Sequence, residues 1–496
     1  MSTPGVLVAI DQGTTSTRAI AFGLDGLPSK TSRRELPQSY PRPGWVEHDP
    51  ERIRRDAIDV TRDVVEAVEA EGSLVAAIGI ANQRETTVVW ERATGRPVSP
   101  AIVWQDRRTV EICRTLREAG YEEHVRRRSG LLLDPYFSGT KLAWILDTVD
   151  GASEAAKKGD LAFGTIDTWL LWCLTGGKVH ATDASNASRT MLYDIRAGCW
   201  SDDLMEMLRV PLEILPEVRD SAGDFGTSDS ALFGRPIPIR GIAGDQQASM
   251  FGQAAFQSGM MKCTYGTGAF ALLNTGAERI ESENRLLTTV AWQLDGALTY
   301  ALEGSIFVAG ASVQWLRDDL GIIKTAAETE ALAAGIETTR GVYLIPAFVG
   351  LGAPHWDADA RGALVGMTRD TRPAEIARAA LEAIAYQTRE LLEAMEADGA
   401  KRPLKLKVDG GVTQNAWAMQ FLSDILSIDI ERPVVTEMTA LGAATLAGLG
   451  AGLYRDLEEI TVSRVHDRVW SPSMKDECRA ELYSGWKTAV SRILST

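Results

Sequence analysis

The run VLVAIDQGTTSTRAIAF, residues 6–22, constrains this chain more than any other stretch. A β-branched strand ends in the carboxylate of Asp11, turns through Gly13 and a group of hydroxyl-bearing residues, and re-enters a strand. A turn of Gly, Thr and Ser lets a polyphosphate come close to the backbone and offers it N–H and hydroxyl donors. Asp11 can hold a divalent cation, and Arg18 supplies positive charge. Taken alone, the same residues also describe an ordinary polar hairpin. A second copy, MMKCTYGTGAFALLN at 260–274, repeats strand, Gly/Thr turn and strand. Two such hairpins predict two similar half-molecules facing one nucleotide across a cleft.

At 496 residues the chain exceeds what one hydrophobic core supports, which predicts two large domains or three. Its 45% hydrophobic and 24% charged content is ordinary for a soluble globular protein. With 67 acidic against 52 basic residues the net charge is −15, which excludes non-specific binding to nucleic acid or to an anionic membrane. A phosphate substrate must therefore be held by local donors and metal. Cys113, Cys173, Cys199, Cys263 and Cys478 are odd in number and form no C-x-x-C pair, so reduced, mostly buried thiols are expected. Met1 leads into a strand without a basic or long apolar leader, and no window reaches ~18 uncharged apolar residues. A cytoplasmic protein without membrane insertion is the expectation.

After the first hairpin, Asp49 and Pro50 fit the start of a helix whose apolar residues Ile53, Ala57, Val60, Val64 and Val68 recur every three or four positions. A strand over 75–81 ends in Asn82, Gln83, Arg84 and Glu85, and a hairpin through Thr94 and Gly95 leads to a strand over 101–104 ending at Trp104. Helices are predicted near 139–149 and 167–175, and IPIRGIAGDQQ (237–247) reads as a strand delivering Asp245 and Gln246 at its carboxyl end. The second half repeats the plan. After the hairpin come a helix through Gly310 and Gln314, strands near 342–347 and 362–367, and a long helix from about 373 to 397. LKLKVDGG (404–411) is a strand into a double glycine, followed by helices from about 413 and at 439–449. This alternation predicts an α/β chain of mixed sheets flanked by helices, divided into domains 1–252 and 253–496.

Neither G-x-x-x-x-G-K-[ST] nor a strand followed by a clean G-x-G-x-x-G is present, and the H-R-D of protein kinases is missing. The remaining three-part pattern of DQGTT, TYGTG and VDGG resembles the actin-like, ribonuclease H-like ATPases. Within that group the chain resembles the FGGY carbohydrate kinases, supported by YFSGTKLAWILD (136–147) and GALVGMTRDTRPAEIARAALEAIAYQT (362–388). GWVEHDP (44–50), NQRETT (82–87), NASRTM (186–191) and GIAGDQQ (241–247) resemble the members that act on glycerol. The resemblance covers essentially the whole chain. It implies two actin-like, ribonuclease H-like domains with the active site in the interdomain cleft. The implied reaction is direct in-line phosphorylation of glycerol by ATP to sn-glycerol 3-phosphate, with Mg²⁺, in a homodimer or homotetramer. A kinase for another small polyol or a pentulose is the alternative, and would need a larger pocket and other residues at Arg84 and Glu85. An actin- or chaperone-like ATPase is a remote one.

Asp245 is the candidate general base, since a carboxylate at a strand end beside a glycine can project into the cleft, and the resemblance gives the matching residue this role. A loose transition state leaves most proton transfer until late, so an aspartate suffices. For the acceptor, Arg84, Glu85, Asp245 and Gln246 offer donors and acceptors and Tyr136 a phenol. The resemblance adds Trp104 and Phe270 as an apolar wall against the carbon chain. For ATP, Thr14, Thr15, Ser16 and Arg18 match the first phosphate motif and Thr267 the second. Gly310, Gln314, Gly411 and Asn415 fall where the resemblance places the adenosine pocket. Asp11 is the expected Mg²⁺ partner, through water.

One stretch departs from the family pattern. Some relatives bind fructose 1,6-bisphosphate through a glycine-rich loop ending in an arginine, and some are activated by phosphorylation of a histidine nearby. Here GTSDSALFGRPIP (226–238) has Gly234 and Arg235 but no glycine run and no histidine. A bisphosphate needs clustered N–H donors and cations, which this loop supplies poorly.

Overall fold

The structure, a computed structural model, describes residues 5–357, 359–464 and 466–495. The first half is organised on a five-stranded sheet in the order Ile239–Gly244, Val75–Asn82, Val6–Gln12, Ser16–Phe22, Pro28–Glu35. The second is organised on seven strands in the order Leu287–Leu294, Ala297–Ile306, Ala269–Gly276, Met261–Tyr265, Lys405–Asp409, Asp429–Pro433, His466–Trp470. Without its two edge strands the second sheet has the order of the first. The leading strand of each hairpin is central, its antiparallel partner and a third strand lie on one side, and two parallel strands lie on the other. The twin Gly/Thr hairpins thus mark a twin fold.

Val6–Gln12 is apolar at consecutive positions because both of its faces are covered. Val8 and Ile10 share a core with Ile53, Ala57, Val60 and Val64 of the helix Pro50–Ala70. That helix starts where the sequence predicts, with the Asp49 side chain accepting from the Glu51 N–H and Pro50 in the first turn. Leu7 and Ala9 point the other way, into a core with Ala443, Ala444 and Ala447 of the helix Met438–Gly450. A helix from the second half therefore packs on the sheet of the first.

Met438–Gly450 also crosses Asp245–Gly252, each helix being the one that follows the last strand of the five-strand pattern common to the two sheets. The crossing is a contact of backbones. A Cβ at Gly442 would lie 1.7 Å from the Ala248 carbonyl oxygen, and one at Gly252 would lie 2.2 Å from that of Met438. The starts of the two helices bring Asp245 and Gln246 from one half beside Thr439 from the other, whose hydroxyl donates to the Asp245 carbonyl at 3.5 Å.

Two local expectations are corrected. The strand expected over 101–104 spans Ala101–Ile102 and pairs with Glu47–His48, so Trp104 lies beyond it. The strand before the turn, Val88–Glu91, forms its ladder with Leu161–Gly164 and meets the segment after the turn only in isolated bridges, Trp90 with Pro97 and the preceding Thr87 with Ile102. The turn at Gly95 forms, but Pro97 and Pro100 lack the N–H donors that a continuous ladder needs. After the double glycine the chain makes one 3₁₀ turn, Gly411–Gln414, and the helix begins at Ala416 because the Asn415 side chain caps it. No helix among the described residues is long and apolar enough to cross a membrane, and all five cysteines are free.

Placing a side chain at the crossing must push the helices apart. Gly442→Val is expected to cost about 3 kcal/mol, the upper end for overpacking a buried contact, and to lower the thermal midpoint by about 3 °C. A midpoint equal to that of the unaltered chain would mean that the backbones are not in contact there.

Candidate active site

Arg84 and Glu85 leave the carboxyl end of the strand Val75–Asn82, the edge at which open α/β sheets take ligands. Both are buried, Arg84 to 3% and Glu85 to 1% exposure, so they are not a solvated surface pair. Glu85 has φ +61°, a left-handed conformation that costs a non-glycine residue about 1–3 kcal/mol and clusters at functional sites. The Ser138 hydroxyl donates to its carbonyl at 2.9 Å.

Arg84 lies against Glu303 of the second half, with Nη1 at 2.5 Å and Nη2 at 3.0 Å from the two carboxylate oxygens. Its Nη1 also donates to Gln247 Oε1 at 3.2 Å, and its Nε is 3.4 Å from Asp245 Oδ1. Arg189 closes the ring, donating from Nε to Glu85 Oε1 at 2.7 Å and from Nη2 to Glu303 Oε1 at 2.9 Å. Two guanidiniums and two carboxylates are thus buried together, an arrangement tolerated only where each charge is paired and hydrogen-bonded. Burial alone would raise the Glu303 carboxyl, but Arg189 and Arg84 outweigh it and hold its pKa at about 2. Glu85 responds the other way: burial prevails over Arg84 and Arg189, and the pKa lies above the usual carboxylate value.

Asp245 opens the helix that follows Gly244, and its Oδ1 accepts from the Gln246 N–H at 2.7 Å. Of the three carboxylates around Arg84 it is the open one, with a side chain 31% exposed against 1% for Glu85 and 2% for Glu303. Its low-dielectric setting raises its pKa, opposed by Arg84 and by Lys262. The geometry suits a group that must reach a ligand and accept a proton.

The aromatic side of the site is built on positioning bonds. Lys141, fully buried, donates to the carbonyls of Pro135, Tyr136 and Phe137 at 2.7, 2.5 and 3.2 Å, and burial pulls its pKa down to about 8. That clasp fixes the turn carrying Tyr136, whose ring meets Trp104 edge to face at 5.4 Å. Trp104 Nε1 donates to Thr14 Oγ1 at 2.9 Å, tying the expected acceptor wall to the first phosphate hairpin. Phe270, expected in the same wall, makes no ring contact with Trp104 among the described residues. It is half-buried, and its strand register pairs it with Thr264 and Ser305.

Where the nucleotide is expected, an open cavity of about 390 Å³ is lined by Arg18, Thr264, Asp409, Gly410, Gly411 and Glu437. Arg18 bridges Asp11 and Glu437, each at 2.5 Å. The hairpin itself is tight, with the Gly13 N–H donating to the Ser16 carbonyl at 2.9 Å, Ser16 half-buried and Thr15 exposed. Thr267 is exposed in the second hairpin, its carbonyl accepting from the Ala309 and Ala311 N–H groups at 2.9 and 3.0 Å.

The glycines divide by cause. Gly410 has φ +93° and would set a Cβ 2.4 Å from the Tyr265 carbonyl oxygen, so the chain itself requires it. Gly310 would meet the Gly266 carbonyl oxygen at 2.6 Å and is likewise required by packing on the hairpin. Gly411 meets nothing within 4 Å, which leaves room for a ligand. Asn415 uses Oδ1 to cap its helix and Nδ2 to reach Thr329 at 3.1 Å, so its side chain is largely committed to structure. Gln314 is exposed on the helix Gly310–Asp318, and no hydrogen bond joins its side chain to the site among the described residues.

Reasoning from sequence overlooks Arg189, Gln247, Lys262 and Glu303. Arg189 lies within the NASRTM string, and Gln247 is the last residue of GIAGDQQ. Lys262 and Glu303 are single charges within strands that are otherwise largely apolar, a pattern that demands a buried partner.

Models of the FGGY family of carbohydrate kinases match this chain in two parts, the N-terminal domain over residues 6–252 and the C-terminal domain over 261–451. A glycerol kinase of Rhodospirillum centenum is 57% identical over 489 residues, covering 99% of this chain and 98% of its own. One of Alcanivorax borkumensis is 56% identical over 490 residues with the same coverage. Among solved structures, Plasmodium falciparum glycerol kinase with ADP superposes with a TM-score of 0.95 at 36% identity, covering 100% of this chain and 99% of that one. The gluconate kinase of Lactobacillus acidophilus shares the fold, with a TM-score of 0.88 at 22% identity, covering 99% of this chain and 97% of that one.

Glu303→Gln leaves two buried guanidiniums with one carboxylate too few, which is expected to cost about 3–5 kcal/mol at neutral pH. A carboxyl group whose folded pKa is about 2, below its unfolded value, stabilises the fold above the ordinary carboxylate range and loses that contribution as pH falls through its folded pKa. The gap in unfolding free energy between native chain and variant should therefore be full at pH 6 and narrow steadily below about pH 4.5. A gap independent of pH would contradict the ion-pair role.

Proposed function

The chain belongs to the FGGY family of carbohydrate kinases, and from that membership we propose how its residues carry the reaction. It is an enzyme that transfers the γ-phosphoryl group of ATP to glycerol. We assign the product as sn-glycerol 3-phosphate and the transfer as direct and in-line. The observation that supports this most is the placement of one open carboxylate, Asp245, between a buried charge network and an open nucleotide-side cavity.

Arg84, Glu85, Tyr136 and Gln246 hold the glycerol hydroxyls, and Trp104 and Phe270 flank its carbon chain. Asp245 accepts the proton of the attacking hydroxyl, late in a loose transition state. Its open side chain lets it reach that hydroxyl, and Arg84 holds it in place through Nε. Thr14, Thr15, Ser16, Arg18 and Thr267 hold the phosphates of ATP, and Gly310, Gln314, Gly411 and Asn415 bound the adenosine. The free space over Gly411 favours this, while the capping bonds of Asn415 leave it a single amide hydrogen for the nucleotide.

Asp11 fits as the Mg²⁺ partner. Only its Oδ2 is engaged by the protein among the described residues, and its negative charge lies close enough to Asp245 to raise that residue's pKa. When bound, Mg²⁺ supplies charge neutralisation on the phosphates while keeping much of its water shell. We place the domain boundary between residues 252 and 253, the enzyme in the cytoplasm, and its working form as a homodimer or homotetramer, following the family.

Two outcomes test this reading. Asp245→Asn is expected to lower kcat for glycerol-dependent ADP release by at least ~10²-fold while nucleotide affinity stays near normal; a kcat within a few-fold of the unaltered enzyme would remove Asp245 as the base. Inhibition by fructose 1,6-bisphosphate is expected to be weak or absent. Arg235 is already engaged by Glu69 at 2.8 Å and by the Val75 carbonyl at 2.9 Å, and Asp229 caps the short helix before it. Strong inhibition at sub-millimolar bisphosphate, lost in Arg235→Ala, would overturn that expectation.

A further inference from the structure

The strand register of the C-terminal sheet puts Lys262, Leu272 and Glu303 in one row, because Lys262 pairs with Leu272 and Leu272 with Glu303. Directly paired residues point to the same face of a sheet. This row meets the first half of the chain: Leu272 shares a core with Phe251 and Met250, Glu303 holds Arg84 and Arg189, and Lys262 holds Gln246.

Lys262 is fully buried, and no ion pair joins its ammonium among the described residues. Its Nζ lies 2.5 Å from Gln246 Oε1 and 3.0 Å from Thr264 Oγ1. Asp409 and Asp245 favour its charge from beyond ion-pair distance, while its direct hydrogen bonds go to two neutral oxygens. An ammonium only donates, whereas a carboxamide carries an acceptor at one end and two donors at the other. The lysine therefore draws the oxygen of Gln246 to itself and turns Nε2 away. Among the described residues Gln246 Nε2 has no protein partner.

We infer that Lys262 is a positioning residue that fixes the direction of the Gln246 amide, so that its nitrogen faces the acceptor pocket as a ready donor to a substrate hydroxyl. This rests on the proposed role of Gln246 in holding glycerol. The row then sets the polarity of the pocket from the far half of the chain, through a cation behind the amide oxygen of Gln246 and an anion behind the guanidinium of Arg84.

The test is a set of steady-state measurements on the full-length enzyme carrying Lys262→Met, Gln246→Ala or both, with thermal midpoints recorded. Each single change should raise KM for glycerol about tenfold, the equivalent of one lost hydrogen bond, and leave KM for ATP within about twofold. The double variant should be no worse than the worse single one, because both remove the same interaction. Lys262→Arg, which keeps the donors, should stay within about threefold of the unaltered KM for glycerol. Gln246→Glu covers the case in which Lys262→Met does not fold. It pairs with Lys262 but offers no donor, so KM for glycerol should rise while the midpoint holds. An unmoved KM for glycerol in Lys262→Met or Gln246→Glu, an additive double variant, or an equal rise in KM for ATP would overturn the inference. If Gln246→Ala raises KM for glycerol and Lys262→Met does not, the acceptor role of Gln246 stands and this inference alone fails. If Gln246→Ala has no effect, both fail.

Discussion

The structure depends on the crossing of two helices, Asp245–Gly252 and Met438–Gly450, at a point where Gly442 meets the backbone of Ala248. Each is the helix that follows the last strand of the five-strand pattern common to the two sheets, so the crossing joins equivalent positions of two equivalent folds. With no side chain between them, the starts of both helices reach the cleft together. One start carries Asp245 and Gln246, and the other adjoins Glu437, which pairs with Arg18 of the first phosphate hairpin. A side chain at Gly442 would move Asp245 relative to Glu437 and Arg18, because their positions are set by the same contact.

The second constraint is electrostatic. Arg84 and Arg189 against Glu85 and Glu303 form a buried, closed ring whose members come from both halves of the chain. Such a ring contributes little net stability relative to an apolar core, since desolvation offsets most of the attraction. What it supplies is direction. Each guanidinium is held by at least two oxygens, so the groups offered to an acceptor are already oriented before it arrives, which lowers the ordering cost of binding. Asp245 sits at the edge of the ring, close enough to Arg84 to be oriented by it and open enough to reach a ligand.

Much of this was legible in the chain itself. The repeated Gly/Thr hairpin announced the twofold architecture, and the apolar spacing after Asp49 marked the helix Pro50–Ala70. Hydrophobic period put Arg84, Glu85 and Asp245 at strand ends, and the family resemblance, not the period, brought them into one site. What escaped were partners supplied from far along the chain. Glu303 lies 219 residues from Arg84, and nothing in the local pattern of Ala297–Ile306 says which cation its carboxylate will meet. Gly310 illustrates the reverse. The resemblance suggested ligand contact for it, whereas close backbone approach already accounts for it, and Gly411 is the expected pocket glycine that leaves space unfilled.

The account holds that a small, pre-oriented polar pocket selects glycerol. The most direct check is the initial rate of ADP formation from ATP with glycerol, dihydroxyacetone, erythritol and xylulose as acceptors, compared as kcat/KM. Glycerol should exceed erythritol and xylulose by about tenfold or more, since the larger chains cannot satisfy every oriented group at once. A kcat/KM for xylulose equal to or above that for glycerol would contradict it.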